Sequence, residues 1–259
     1  MNAVEVRDLV VEYGAHRVIS GLSLEVPDGT FVGLVGPSGC GKSTLLRCIA
    51  GLLRPTRGTV RVLGAPVVGP PPAVGILFQE DALLPWRTAQ ENVALGLKFR
   101  GMPRSEAQEE ALRWLERVGL GAFARHYPSE LSGGMKKRVA LAQVLACRPR
   151  VLLMDEPFAS LDAILRQLVE RDFLDLAAQE RLTVLWVTHD LEEALLLSDR
   201  VVVMSAGPLA HVVRTYEVPF GRTRDLVRLR ADPRFADLLQ AIWEDLRREV
   251  ARMGWEGAA

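Results

Sequence analysis

Nine consecutive residues constrain this chain more than any others: Gly36-Pro37-Ser38-Gly39-Cys40-Gly41-Lys42-Ser43-Thr44, which match G-x-x-x-x-G-K-[ST]. Upstream, Phe31–Val35 is a continuous apolar run, as expected of a strand buried on both faces. Downstream, Leu45, Leu46 and Ile49 recur at helical spacing and the pattern closes near Gly51. Strand, glycine-rich turn and helix form the context in which such a loop binds phosphate. Glycines let successive backbone N–H groups turn inward, and the helix dipole favours negative charge at that end. Lys42 then sets an ammonium on the β- and γ-phosphates of a nucleotide, and Ser43 offers a hydroxyl to Mg²⁺, which takes hard oxygen ligands. Cys40 lies inside the loop, either as a small side chain tolerated in a tight turn or as a redox-sensitive thiol.

The remaining pattern places that loop in an α/β chain. Val4–Val11, Leu22–Val26 and Gly58–Leu63 alternate apolar and polar residues, which predicts half-buried antiparallel strands. Val151–Met154, Thr183–Val187 and Val201–Met204 read as buried strands, with a helix over Ala163–Glu180 between the first two. Strand, helix, strand in this order implies a parallel sheet with right-handed crossovers. Thr88 to Pro149 is mostly helical; Ser105 and Gln108 suggest a capping box ahead of the stripe Ala111, Leu112, Leu115 and Val118. Beyond Gly207, Phe235, Leu238, Leu239, Ile242, Trp243, Leu246 and Val250 define one amphipathic helix, which either packs on the chain's own core or meets a partner.

Composition excludes several classes. Thirty-two basic residues balance thirty-two acidic ones among 259, so a broad basic surface for nucleic acid is not expected. No apolar run approaches the ~18–20 residues that cross a bilayer. Glu5, Arg7 and Asp8 occupy the place where an export signal would be apolar. Three cysteines without a CxxC pair fit a reducing compartment. A cytoplasmic location is expected.

Two further segments carry chemistry. Val151–Met154 ends in Asp155-Glu156, an acidic pair where a parallel sheet binds its ligands. Asp155 then faces Mg²⁺ and Glu156 the attacking water, the parts that phosphoryl transfer needs beside a lysine and a metal. Leu131-Ser132-Gly133-Gly134-Met135, followed by Lys136-Lys137-Arg138, is a second anion-binding turn opening a helix.

This last segment resembles the signature of ABC-type ATPases. The resemblance implies a P-loop NTPase core with a parallel sheet, an antiparallel β subdomain and a helical signature subdomain. It covers residues 1–205 as the nucleotide-binding domain, with the helical part near 88–149 and a separate tail over 206–259. In that family the signature of one subunit caps the γ-phosphate held by the cradle of another, so a homodimer is implied. Gln79 resembles the glutamine that senses Mg²⁺ and the attacking water, Ser160-Leu161-Asp162 the D-loop at the dimer interface, and His189 the switch histidine at the γ-phosphate. Tyr13 is similar to the aromatic residue that stacks on adenine, although it also reads as a plain strand-end aromatic.

Met135 departs from the residue common in the family but resembles importers of nitrate, aliphatic sulfonate, taurine or related small organic solutes. The segments Phe78–Trp86 and Asp155–Ala163 point the same way, while Lys137 and Gln143 differ from the usual residues. The implied function is the ATPase subunit of an importer, peripheral on the cytoplasmic face of the membrane. Its implied partners are a permease and, indirectly, a solute-binding protein. Leu83, Leu84 and Trp86 stand where the resemblance places the permease; they read equally well as helical-subdomain core. Two other classes explain the sequence less well. A soluble ABC ATPase acting on nucleic acid or ribosomes lacks its usual second cassette, long coiled coil or basic arm here. A small-molecule phosphotransferase explains the cradle but not the signature.

Overall fold

Alternation of buried and exposed residues builds the first two strands: Val4, Val6, Leu9 and Val11 point inward from Asn2–Tyr13, and Leu22, Leu24 and Val26 from His16–Pro27. The step from Val6 to Leu9 breaks the alternation, and the pairing register shifts there at Asp8, whose φ is +49°. The computed structural model describes residues 1–79, 82–159, 161–221 and 229–252. In chain order its elements are β1 (Asn2–Tyr13), β2 (His16–Pro27), β3 (Phe31–Val35), α1 (Lys42–Ile49), β4 (Arg57–Val62), β5 (Ala65–Pro66) and β6 (Val74–Leu77). Then follow α2 (Ala89–Phe99), α3 (Arg104–Arg117), α4 (Gly133–Leu145), β7 (Val151–Asp155), α5 (Ala163–Gln179), β8 (Thr183–Val187), α6 (Leu191–Leu197), β9 (Arg200–Met204), β10 (Val212–Glu217) and α7 (Pro233–Arg252). They group into two units, residues 1–71 with 182–259, and residues 72–181.

The first unit contains an antiparallel sheet in the order β2-β1-β4-β5. It also contains β3 between β8 and β9, parallel to both, with β10 antiparallel on the outer side of β9. Every residue of β3 and β8 is buried, which explains why both read as unbroken apolar runs. Polar groups pin the start of β3: the Asp199 carboxylate accepts the Phe31 N–H at 2.9 Å, and the Thr183 hydroxyl accepts the Gly29 N–H at 2.8 Å. The Trp186 indole donates to Ser198 Oγ at 2.9 Å, and this bond lies so close to Gly33 that a Cβ there would sit 2.5 Å from the hydroxyl.

In the second unit β6 and β7 pair in parallel, Leu77 opposite Met154. Thr88 starts α2 with a reciprocal capping box to Glu91, a Thr-x-x-Glu signal that the sequence itself carries. The expected box at Ser105 and Gln108 is absent. Pro103 takes the N-cap of α3 with φ −53°, the helix begins at Arg104, and Ser105 falls inside the first turn where it cannot cap. β10 and the short β5 were not anticipated; β10 is an edge strand with little inward–outward contrast. No described helix is long and apolar enough to cross a membrane.

Candidate active site

The cradle Gly36–Thr44 links β3 to α1 and is closed by packing. Gly41 occupies the N-cap of α1 at φ +99°, so no side chain caps this helix; α2, α4, α5 and α6 are capped by Thr88, Ser132, Asp162 and Asp190. A Cβ on Gly41 would lie 3.0 Å from Val18 Cγ1 in a left-handed conformation that L-residues rarely adopt. The first intrahelical bond is Leu45 N–H to the Gly41 carbonyl at 2.9 Å, which leaves the amides ahead of it for a ligand. Lys42 is 5% exposed, and its Nζ donates to the carbonyls of Gly36 at 2.7 Å and Pro37 at 3.0 Å. The ammonium is thus held over the loop. Ser38 and Gly39 are exposed, Ser43 and Thr44 half-buried. Cys40 is fully buried; burial pushes its thiol above the ordinary range, against the opposing pull of the Lys42 ammonium 3.8 Å away.

The switch candidate lies at the same sheet end. Leu34 pairs with Val187, so β3 and β8 deliver Gly36 and Thr188 side by side at their carboxyl ends. Buried Thr188 is hydrogen bonded to Glu193 and accepts the Asp190 N–H at 3.0 Å, and Asp190 caps α6. Between these two fixed residues His189 is exposed. Tyr13, 45% exposed, closes the β1–β2 hairpin whose Val18 backs Gly41.

The second unit gathers the acids, the glutamine and the signature. Parallel pairing of β6 with β7 delivers Gln79 and the Asp155-Glu156 pair beside each other. Glu156 turns at φ +46°, a region costly for a side-chain-bearing residue, and Gln79 Nε2 reaches its carboxylate at 3.5 Å. Lys137, which differs from the residue usual in the importers this chain resembles, is 3% exposed and donates from Nζ to the Gln79 carbonyl at 2.6 Å. It therefore ties α4 to the segment that carries the glutamine.

At the start of α4, the Ser132 hydroxyl accepts the Met135 N–H at 3.3 Å. The hydroxyl oxygen expected to serve an anion is thus also the helix cap. Ser132 and Gly133 are exposed, Leu131 is buried and Met135 half-buried. Gly134 packs so closely that a Cβ would strike Leu165 Cδ2 at 2.6 Å, whereas one on Gly133 would meet only Leu161 Cδ2 at 3.8 Å. The second glycine serves helix packing; the first leaves the turn open to a ligand. Asp162 caps α5 and Leu161 is buried, while Ser160 lies outside the described residues. Buried Asn92 holds the turn before α2: its Oδ1 accepts the Leu84 N–H at 2.7 Å and its Nδ2 reaches the carbonyls of Leu84, Arg87 and Thr88. That turn presents Trp86 at 70% exposure, with Leu83 and Leu84 half-buried.

The residues fit a magnesium nucleotide. An uncapped cradle whose N-cap tolerates no Cβ offers amides suited to phosphate, and half-buried Ser43 carries a hydroxyl, the hard kind of oxygen that Mg²⁺ prefers; within the second unit Gln79 and Asp155 carry oxygens of the same kind.

Comparison with known proteins agrees. The family model described as ABC transporter matches residues 19–159. The nitrate import ATP-binding protein NrtD of Synechococcus elongatus is 42% identical over 92% of this chain and 88% of its own length. The taurine import ATP-binding protein TauB of Chromobacterium violaceum is 42% identical over 93% and 94%. Among solved structures, the dimeric post-hydrolysis state of the ATP-binding cassette MJ0796 bound to ADP and Pi superposes with a TM-score of 0.72 at 31% identity, covering 83% of this chain and 98% of that one.

Proposed function

This chain belongs to the ABC transporter family, and from that premise we propose that it is the ATP-hydrolysing subunit of an importer for a small solute. The observation that carries the reading is the pairing, in one chain, of an uncapped phosphate cradle with a second open turn at Ser132-Gly133. One nucleotide needs one cradle; the second turn serves the nucleotide of another copy. Two chains then enclose two ATP molecules, each with one chain's cradle and the other's Leu131–Met135, and Ser160-Leu161-Asp162 meets the partner copy. The dimeric, ADP- and Pi-bound state of the MJ0796 cassette supports this arrangement.

Each residue has a role in that reading. Tyr13 stacks on adenine. Gly36, Ser38, Gly39, Cys40, Gly41, Lys42, Ser43 and Thr44 hold the phosphates. Ser43, Gln79 and Asp155 hold Mg²⁺, which supplies charge neutralisation at the phosphates when bound. Glu156 takes the proton of the attacking water, and His189 contacts the γ-phosphate. Leu83, Leu84 and Trp86 receive the permease, a role supported by the exposure of Trp86. The nucleotide-binding domain spans 1–205, with its helical part near 88–149, and the tail spans 206–259. The chain works on the cytoplasmic face of the membrane, where the permease and a solute-binding protein complete the importer.

The solute is nitrate, an aliphatic sulfonate, taurine or a related compound, as the importer relatives suggest. These relatives also favour an importer over a soluble ATPase acting on nucleic acid. The test is hydrolysis by Lys42→Ala in the complex isolated from membranes. Loss of a charge-stabilising donor costs ~10²–10³ in rate; unchanged turnover would refute the site.

A further inference from the structure

The tail helix α7 is amphipathic, yet two of its buried side chains are acids: Asp245 is 3% exposed and Glu249 4%. A buried carboxylate is costly unless bonded, so each needs a partner. Asp245 accepts the Tyr216 hydroxyl at 2.6 Å, with Arg214 and Arg248 at its rim, which fastens the helix to β10. Glu249 does something different. Its Oε2 accepts the backbone N–H of Ala206 at 3.2 Å, and Arg252 pairs with its other oxygen.

Ala206 belongs to the turn leaving β9, and that turn lies directly behind the phosphate cradle. A Cβ on Gly207 would stand 3.3 Å from the Gly39 carbonyl oxygen and 3.6 Å from Cys40 Cα. A Cβ on Gly36 would stand 3.1 Å from the Met204 carbonyl oxygen. The glycine backbones therefore leave no room for a side chain of their own at this contact, where Cys40 Sγ and Met204 Cβ already crowd Gly36, and a shift of the turn displaces the cradle. The far side of the turn is fixed by Ala210, whose N–H bonds the Val18 carbonyl at 3.0 Å; the near side is held by Glu249.

We propose that Glu249 is a positioning residue for nucleotide binding: by holding the Ala206 amide it fixes the Met204–Gly207 turn against the cradle, so that this one contact of α7, rather than its anchoring at Tyr216, sets the chain's affinity for ATP. The inference rests on Gly36–Thr44 being the ATP cradle. Coupling is reciprocal, so nucleotide must in turn stabilise the docked helix.

The test uses the full chain and trinitrophenyl-ATP as a fluorescent probe in excess EDTA, which separates binding from turnover. Wild-type binding, lost in Lys42→Ala, checks the cradle; the ratio of Glu249→Ala to wild type checks the positioning role. Glu249→Ala should weaken binding about fivefold or more. Glu249→Gln keeps an acceptor oxygen for Ala206 and should restore most of the affinity. Tyr216→Phe loosens the other anchor and should leave affinity near wild type. In the wild-type chain, ATP should slow hydrogen exchange across residues 245–252, a readout that needs no variant. Unchanged binding by Glu249→Ala, equal weakening by Tyr216→Phe, failure of Glu249→Gln to restore affinity, or no slowing of exchange would each overturn the proposal.

Discussion

Asn92 offers the sharpest stability test, because its amide is wholly buried and every partner of its side chain lies within residues 84–88. In Asn92→Ala the losses can be counted group by group. The Thr88 carbonyl keeps the Asn92 N–H at 2.9 Å, and the Leu84 carbonyl keeps the Arg87 N–H at 3.1 Å. The Leu84 N–H and the Arg87 carbonyl lose the bonds described here. Two such groups at ~1–3 kcal/mol each give a loss of about 2–6 kcal/mol. Urea unfolding should show a lower midpoint with an unchanged slope, since the surface exposed on unfolding is the same. Asn92→Asp adds a sign check. Its carboxylate keeps the Leu84 bond but turns an oxygen toward three carbonyls, so the folded state holds its proton more tightly than the unfolded chain. That variant should therefore recover stability relative to wild type as pH falls through its raised pKa, and lose it as pH rises. On the proposed docking of the permease at Trp86, Asn92→Ala should also fail to co-purify with it while retaining ATP affinity. A midpoint equal to wild type would show that the Asn92 side chain does not hold this turn.

Three other predictions concern buried groups. Burial raises the Cys48 thiol from 9.0 to about 11, so below pH 9 the thiol is neutral folded or unfolded, and between these values only the unfolded chain ionises; up to about 2–3 kcal/mol of stability is lost as pH rises through this window. The melting-temperature deficit of Cys48→Ala should accordingly shrink from neutral to alkaline pH. Burial pushes the thiols of both Cys40 and Cys147 up, so access decides: fully buried Cys40 should react with iodoacetamide more slowly than half-buried Cys147, as mass spectrometry of the folded chain at neutral pH will show. Lys137→Met removes the bond to the Gln79 carbonyl and should lower turnover about tenfold while ATP affinity stays within about twofold, measured by steady-state hydrolysis beside equilibrium binding.

The cradle was legible because three independent signals agree: a run of residues fit for a doubly buried strand, glycines at the turn, and a 3.6-residue period after it. The signature turn was legible as a motif, but the division of labour between its glycines was not, since Leu165 approaches Gly134 from a helix far along the chain. The same holds for Glu156, whose left-handed backbone no local pattern announces. Lys137 stood out only as a mismatch, and its reason is a contact 58 positions away. On the tail, the apolar stripe found α7, yet Leu238, Leu239, Leu246 and Val250 are half-buried and Trp243 is 60% exposed. Periodicity assigns acids to the solvent face, so it could not find Asp245 and Glu249 buried against Tyr216 and Ala206. The edge strand β10 escaped for a related reason: pairing with β9, rather than its own alternation, makes it a strand. Removing residues 208–259 thus removes part of the sheet along with the tail.

In the proposed assembly a working site takes its cradle from one chain and its signature from another. Sedimentation of Glu156→Gln with and without ATP tests it most directly, paired with the double variant Glu156→Gln, Ser132→Phe. Glu156→Gln should become a dimer when ATP is added, and the double variant should bind ATP but stay a monomer. A dimer that forms equally well with Ser132 blocked, or a Glu156→Gln chain that saturates with ATP and remains single, would contradict it.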